Sequence, residues 1–236
     1  MFVQIFDTKE EASQAAFEIF KEVIQTDPQA IFGLATGSTP ESLYDLLTRS
    51  DLDFSKATAL NLDEYYGLEA DHPQSYAYFM KDRLFSKKPF KETFIPNGIN
   101  TNIEEETQAY DEIISQHPVD LQILGIGPNA HIGFNEPGTS FDSTTQCVEL
   151  TPATIQANKR YFESEADVPT KAYSMGIDSI MKAKRIILLA FGEGKAKAVR
   201  DMIEGPVTED VPASILQNHP EVAVFIDKEA ASLLNK

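Results

Sequence analysis

A chain of 236 residues, 42% of them hydrophobic and 24% charged, is long enough to bury a sizeable core as one large α/β domain or two small ones. Its formal net charge of -17 excludes the basic surface that a phosphate backbone requires, so nucleic acid is not an expected partner. An anionic small molecule remains admissible where a few cations and helix N-termini meet it locally.

The single cysteine, Cys147, excludes an internal disulfide and a cysteine metal cluster, reads as a small apolar filler and fits a reducing compartment. The opening MFVQIFDTKEEA carries early charges and no long apolar run, which predicts neither signal peptide nor membrane anchor, and hence a cytoplasmic protein. Repeats, low-complexity tracts and Gly/Ser-rich linkers are absent, so a single domain is expected over residues 1–236.

Along the chain, an acidic helix precedes a first strand beginning near residue 30, AIFGLA (30–35). Thr36-Gly37-Ser38-Thr39-Pro40 follows, then the helical PESLYDLLT (40–48). Glycine permits a tight turn, Ser38 or Thr39 can cap the helix, and the free N–H groups make a phosphate cradle. No Gly-Lys-Ser/Thr follows, so this is not a Walker A loop; an ordinary capped turn and an anion site both remain open.

The second strand, ATALNL (57–62), runs into LNLDEYYGL, where Asp63 and Glu64 sit at the end of an apolar run. A carboxylate there with apolar neighbours suits a proton-abstracting base; a solvated acidic loop end is the alternative. Helical patterns follow at SYAYFMKDRLF (75–85) and IEEETQAYDEII (103–114), then the strand DLQILGI (120–126).

That strand opens into LGIGPNAHIGFNEPG (124–138). Gly125-x-Gly127-x-x-Ala130 imitates a dinucleotide turn, but Gly133, Pro137 and Gly138 argue against the helix such a turn needs. A loop instead exposes Asn129, His131 and Glu136. Histidine moves protons near neutral pH, and a neighbouring carboxylate or amide can hold its ring. A metal reading lacks a third neighbouring ligand. His72, His117 and His219 lie beside or near proline and read as structural.

The strand RIILLAF (185–191) leads into Gly192-Glu193-Gly194-Lys195 and the helix KAKAVRDMI (195–203). A lysine at a helix N-terminus opposes the dipole, which becomes sensible when an anion sits beside it. Arg160, in ANKRYF, is a second candidate cation. VAVFI (222–226) and a closing helix, KEAASLLN (228–235), complete the chain. Strands alternating with helices predict a Rossmann-like α/β fold: an open, mainly parallel sheet with helices on both faces and ligands at the carboxyl ends of the strands.

Together FGLATGSTP, LNLDEYYGL with its DHPQSY, LGIGPNAHIGFNEPG, ANKRYF and GEGKAKAV resemble the glucosamine-6-phosphate deaminase family over nearly the whole chain. The ATGSTP loop is shared with sugar-phosphate relatives such as phosphogluconolactonases. The resemblance implies conversion of glucosamine 6-phosphate and water to fructose 6-phosphate and ammonia, with no redox cofactor or metal. It implies Asp63 as the base that takes the C2 proton and returns it at C1, and His131 as the ring-opening group with Asn129 and Glu136 as partners. The 6-phosphate would be held by Thr36, Gly37, Ser38 and Thr39 with Arg160 and Lys195. Many members carry aspartate where this chain has Asn129, an amide that could accept a hydrogen bond from the ring but brings no charge.

Larger members are allosteric hexamers with a longer C-terminal region, so a monomer, or at most a small oligomer, with hyperbolic kinetics is the expectation here. A phosphogluconolactonase would need no C2 base. A sugar-sensing regulator domain would normally carry a DNA-binding helix-turn-helix, which the acidic N-terminus does not suggest.

Overall fold

The computed structural model describes residues 1–158, 162, 164 and 167–235. Its elements are β1 (Phe2–Phe6), α1 (Lys9–Thr26), β2 (Ile31–Leu34), α2 (Glu41–Arg49), β3 (Thr58–Asn61), β4 (Asp63–Tyr65), α3 (Tyr76–Met80), β5 (Glu92–Phe94) and α4 (Ile103–Gln116). They continue with β6 (Leu121–Leu124), β7 (Gln146–Glu149), α5 (Pro152–Asn158), β8 (Lys171–Ser174), α6 (Ile177–Met181), β9 (Arg185–Ala190), α7 (Ala196–Glu204) and β10 (Val222–Asp227).

The described residues build a seven-stranded sheet in the order β1-β10-β9-β6-β2-β3-β5, every neighbouring pair parallel. Helices flank it, as the α/β expectation required. The central strands are covered on both faces, so β3 and β6 are buried at every position and β9 at all but its first. That double burial is why they read as unbroken apolar runs rather than alternating ones. The α1 helix starts with a reciprocal cap, Thr8 accepting from the Glu11 N–H and Glu11 accepting from the Thr8 N–H. Among the described residues no helix is long and apolar enough to cross a membrane.

Three features depart from the sequence expectations. The sheet begins with β1, not near residue 30: β1 pairs with β10 at the sheet edge, where Phe2 is 60% and Ile5 51% exposed. The segment 228–235 is not a helix but a run of turns. In it the Ala230 N–H donates to Asp227 Oδ1 at 2.8 Å and the Ala231 N–H to the Asp227 carbonyl at 3.0 Å. The second strand of the sequence reading also splits. The sheet strand β3 ends at Asn61, and after Leu62 the chain enters β4 of a separate antiparallel sheet, order β4-β8-β7.

The four strands whose ends carry the marked residues, β9, β6, β2 and β3, are consecutive neighbours in the large sheet. Strand order reverses between β6 and β2, since β3 and β5 lie on one side and β9 and β10 on the other. A crevice forms at such a reversal because the connections leave toward opposite sides.

Candidate active site

A cavity of about 450 Å³ opens at this reversal, lined among others by Thr36, Thr39, Asp63, Asn129, His131 and Lys195. Gly37 and Ser38 are exposed in the same turn and contribute no side chain to its wall; Gly37 supplies the turn through a φ of 92°. Neither Ser38 nor Thr39 caps α2, contrary to expectation. Pro40 holds the cap position with no side-chain hydrogen bond, so the start of α2 is left without a side-chain acceptor. Arg160 lies outside the described residues.

Asp63 is the first residue of β4 and is 7% exposed. No described residue donates a hydrogen bond to its carboxylate. Burial, reinforced by the neighbouring Glu64 charge, pushes its pKa up to about 8. Glu64 points elsewhere. It accepts from the N–H groups of Tyr65 at 2.8 Å, Tyr76 at 2.9 Å and Ala77 at 2.8 Å, closing the first turn of α3. Burial raises it to about 7 in spite of those three donors. Of the two adjacent acids, one is structural and one faces the cavity.

The loop after β6 turns as its glycines demand, without a helix. Ala130 adopts a φ of 66°, a left-handed conformation that few non-glycine residues take, and its carbonyl accepts from the Ala213 N–H at 3.0 Å. A Cβ on Gly127 would lie 2.3 Å from His131 Cε1, so only glycine lets the imidazole fold back over the strand end. Asn135 is fully buried and donates to the carbonyls of Ile132 and Met175, both at 2.9 Å, which ties the loop to the small sheet.

His131 Nδ1 stands 3.5 Å from Glu136 Oε2. Asn129 does not serve the ring as the family resemblance suggested. Its amide donates a short hydrogen bond to Glu136 Oε2, and its oxygen accepts the His131 backbone N–H at 3.4 Å. Glu136 Oε1 accepts from the Thr154 hydroxyl at 2.8 Å. Burial opposes ionisation of Glu136, but the contacts with His131, Thr154 and Asn129 prevail and hold it down at about 2.

Lys195 precedes α7 and lines the same cavity. Burial lowers its pKa, and no described carboxylate pairs with it. In a chain with 37 acidic residues, a cavity-lining ammonium without a carboxylate partner among the described residues is available to an anion from solution.

Two polar side chains of the cavity escaped the sequence reading. Tyr76 is stacked on Phe134 at 6.1 Å and 3°, and burial raises its hydroxyl pKa well above the usual value. Its signal was the SY at the start of a helical pattern. Thr154 lies in α5, a segment with no apolar periodicity to draw attention to it. His117 and His219 contact the Ile113 and Ala183 carbonyls at 2.8 Å each, and His72 Nδ1 accepts the Gln74 N–H at 3.1 Å; these are structural contacts. Among the described residues, no group of three or more His, Cys, Asp or Glu side chains is placed to hold a metal ion.

The family model of glucosamine-6-phosphate isomerases/6-phosphogluconolactonase matches residues 7–225. The glucosamine-6-phosphate deaminase of Oenococcus oeni is 58% identical over 236 residues, all of both chains. That of Listeria monocytogenes serovar 1/2a is 60% identical over 228 residues, 97% of each. A solved monomeric glucosamine-6-phosphate deaminase, 49% identical, superposes with a TM-score of 0.96 over 99% of this chain and all of its own. The 6-phosphogluconolactonase of Trypanosoma brucei, 19% identical, reaches 0.81 over 99% of this chain and 98% of its own, a likeness of fold alone.

Proposed function

The chain belongs to the family of glucosamine-6-phosphate isomerases and 6-phosphogluconolactonases, and from that premise we propose that it converts glucosamine 6-phosphate and water to fructose 6-phosphate and ammonia. The observation that carries the reading within the family is Asp63: a buried carboxylate without a described hydrogen-bond donor, facing the cavity that also holds His131 and Lys195. Hydrolysis of a lactone removes no C2 proton, whereas an aldose–ketose shift requires a base that does.

His131, backed by Glu136, moves the proton between the ring oxygen and the C1 hydroxyl as the pyranose opens. The free aldehyde acidifies the C2 hydrogen, and Asp63 takes it as a general base. The same carboxyl returns the proton to C1, leaving a C2 imine. Water adds to that imine and ammonia departs. Lys195, the start of α2 and the Thr36–Thr39 turn receive the 6-phosphate, with Arg160 assigned to the same task from the family resemblance.

Ammonia release tests this on three compounds: glucosamine 6-phosphate, N-acetylglucosamine 6-phosphate and 6-phosphogluconolactone, the last followed by acid production. Turnover of the first alone is expected. Lactone hydrolysis without ammonia release would overturn the reading. We also propose a cytoplasmic monomer with hyperbolic kinetics, on the strength of the monomeric relative and of a phosphorylated sugar substrate. Light scattering that gave a hexamer, or sigmoidal rates relieved by N-acetylglucosamine 6-phosphate, would defeat it.

A further inference from the structure

The helix α5 brings one hydroxyl to the cavity, and its hydrogen bonds form a directed chain. Thr151 Oγ accepts the Thr154 N–H at 3.3 Å, fixing the first turn of the helix. The two hydroxyls, Thr151 and Thr154, lie 3.0 Å apart, and Thr154 donates to Glu136 Oε1 at 2.8 Å. A hydroxyl has one proton to give. With the Thr154 proton directed at Glu136, the Thr151 hydroxyl must be the donor to Thr154. The order is therefore Thr151 to Thr154 to Glu136.

This matters because a carboxylate beside an imidazole works only when its plane is fixed. Glu136 Oε2 faces both the Asn129 amide and His131 Nδ1, while Oε1 is held by Thr154. Without a donor on Oε1, rotation of the carboxylate would exchange its two oxygens and loosen the one aimed at the ring. Thr154 itself lines the cavity, so it reports directly on where α5 sits against the substrate space.

Resting on the deaminase reading above, we propose that Thr154 is a positioning residue for the ring-opening step, clamping the Glu136 carboxylate so that Oε2 stays directed at His131. Thr151 supports it by polarising its hydroxyl. Binding of the substrate's phosphate and amine does not depend on this clamp.

Thr154→Val keeps the shape and removes the hydroxyl; Thr154→Ser keeps the hydroxyl. Val is expected to lower kcat by about tenfold, the scale of losing one hydrogen bond to a charged group, with KM unchanged within about twofold. Loss of a donor to the carboxylate makes Glu136 easier to protonate, so the acid limb of the kcat profile moves to higher pH. Ser is expected to recover most of both. The reduced, open-chain analogue of the substrate, 2-amino-2-deoxyglucitol 6-phosphate, needs no ring opening and is expected to inhibit parent and Val variant equally.

Thr154→Ala, checked by thermal melting, replaces Val if Val fails to fold. A parent that releases ammonia and a Val variant with unchanged kcat and pH profile would overturn this proposal alone. So would a Ser variant as impaired as Val, or an analogue that binds more weakly in step with kcat. A parent with no ammonia release would overturn the deaminase reading and this proposal with it.

Discussion

Asp63 and Glu136 are carboxylates of one site, yet they are pulled to opposite ends of the range open to a carboxyl group. Asp63 is raised to about 8 by burial and the Glu64 charge, with no described donor. Glu136 is held at about 2 by His131, Thr154 and Asn129, against the opposing effect of its own burial. Burial thus acts in the same direction on both, and the contacts that Glu136 alone makes with His131, Thr154 and Asn129 decide between them. The difference fits the proposed roles. A raised pKa makes the ionised Asp63 carboxylate the stronger base, suited to taking a proton from carbon and giving it back, whereas a carboxylate held ionised at neutral pH suits orienting and stabilising an imidazole partner.

The largest break in this contrast comes from removing the basic end. Asp63→Asn keeps the volume and the cavity but leaves nothing to accept the C2 proton. Turnover is expected to fall by at least about 10²-fold, with inhibition by the open-chain analogue retained. Exchange of the C2 hydrogen with deuterated solvent is the direct measurement. Near-normal exchange in the variant would remove Asp63 from this role.

A smaller effect is expected at the acidic end from Asn129→Asp, which replaces the amide donor by a second carboxylate beside Glu136. Two ionised carboxylates at hydrogen-bond distance cannot both stay comfortable, so one is driven to hold a proton. The variant is expected to lose about 2- to 5-fold in kcat near pH 7 and to show a steeper acid limb. An unchanged profile would mean that the Asn129 hydrogen bond contributes nothing to the state of Glu136.

Why these two ends were unequally legible in the sequence follows from where they sit. Asp63 ends an apolar run, and a run buried on both faces announces its own last residue. The same property made β2, β6, β9 and β10 readable, while β1 was hidden because an edge strand exposes Phe2 and Ile5. The loop holding Asn129, His131 and Glu136 was legible as a loop from its glycines and proline. Its internal wiring was not. Which way Asn129 points depends on the left-handed turn at Ala130, and the Thr154 contact spans 18 residues and two elements. Long-range side-chain geometry of that kind leaves no periodic mark.

The smallest expected effect is on stability, and its sign separates the two carboxylates as cleanly as activity does. In the unfolded chain Asp63 ionises near its ordinary value of 3.8; in the folded protein it holds its proton until about 8. Between those values the folded state binds more protons, so its stability declines as pH rises and levels off once both states are ionised. Asn cannot ionise and removes this slope. Asp63→Asn is therefore expected to gain on the parent steadily between about pH 5 and pH 8, by about 2–4 °C in melting temperature for each kcal/mol of the slope removed. Glu64 slopes the same way, but it is present in both proteins and drops out of the difference to first order. Glu136 slopes oppositely: its lowered pKa favours the folded state above the ordinary carboxylate range, so Glu136→Gln loses stability where Asp63→Asn gains it. Melting curves of the parent and both variants across this range decide the matter. A variant of Asp63 that melts below the parent at pH 8, or a difference that does not grow with pH, would show that the Asp63 charge is not held in the folded protein at a cost.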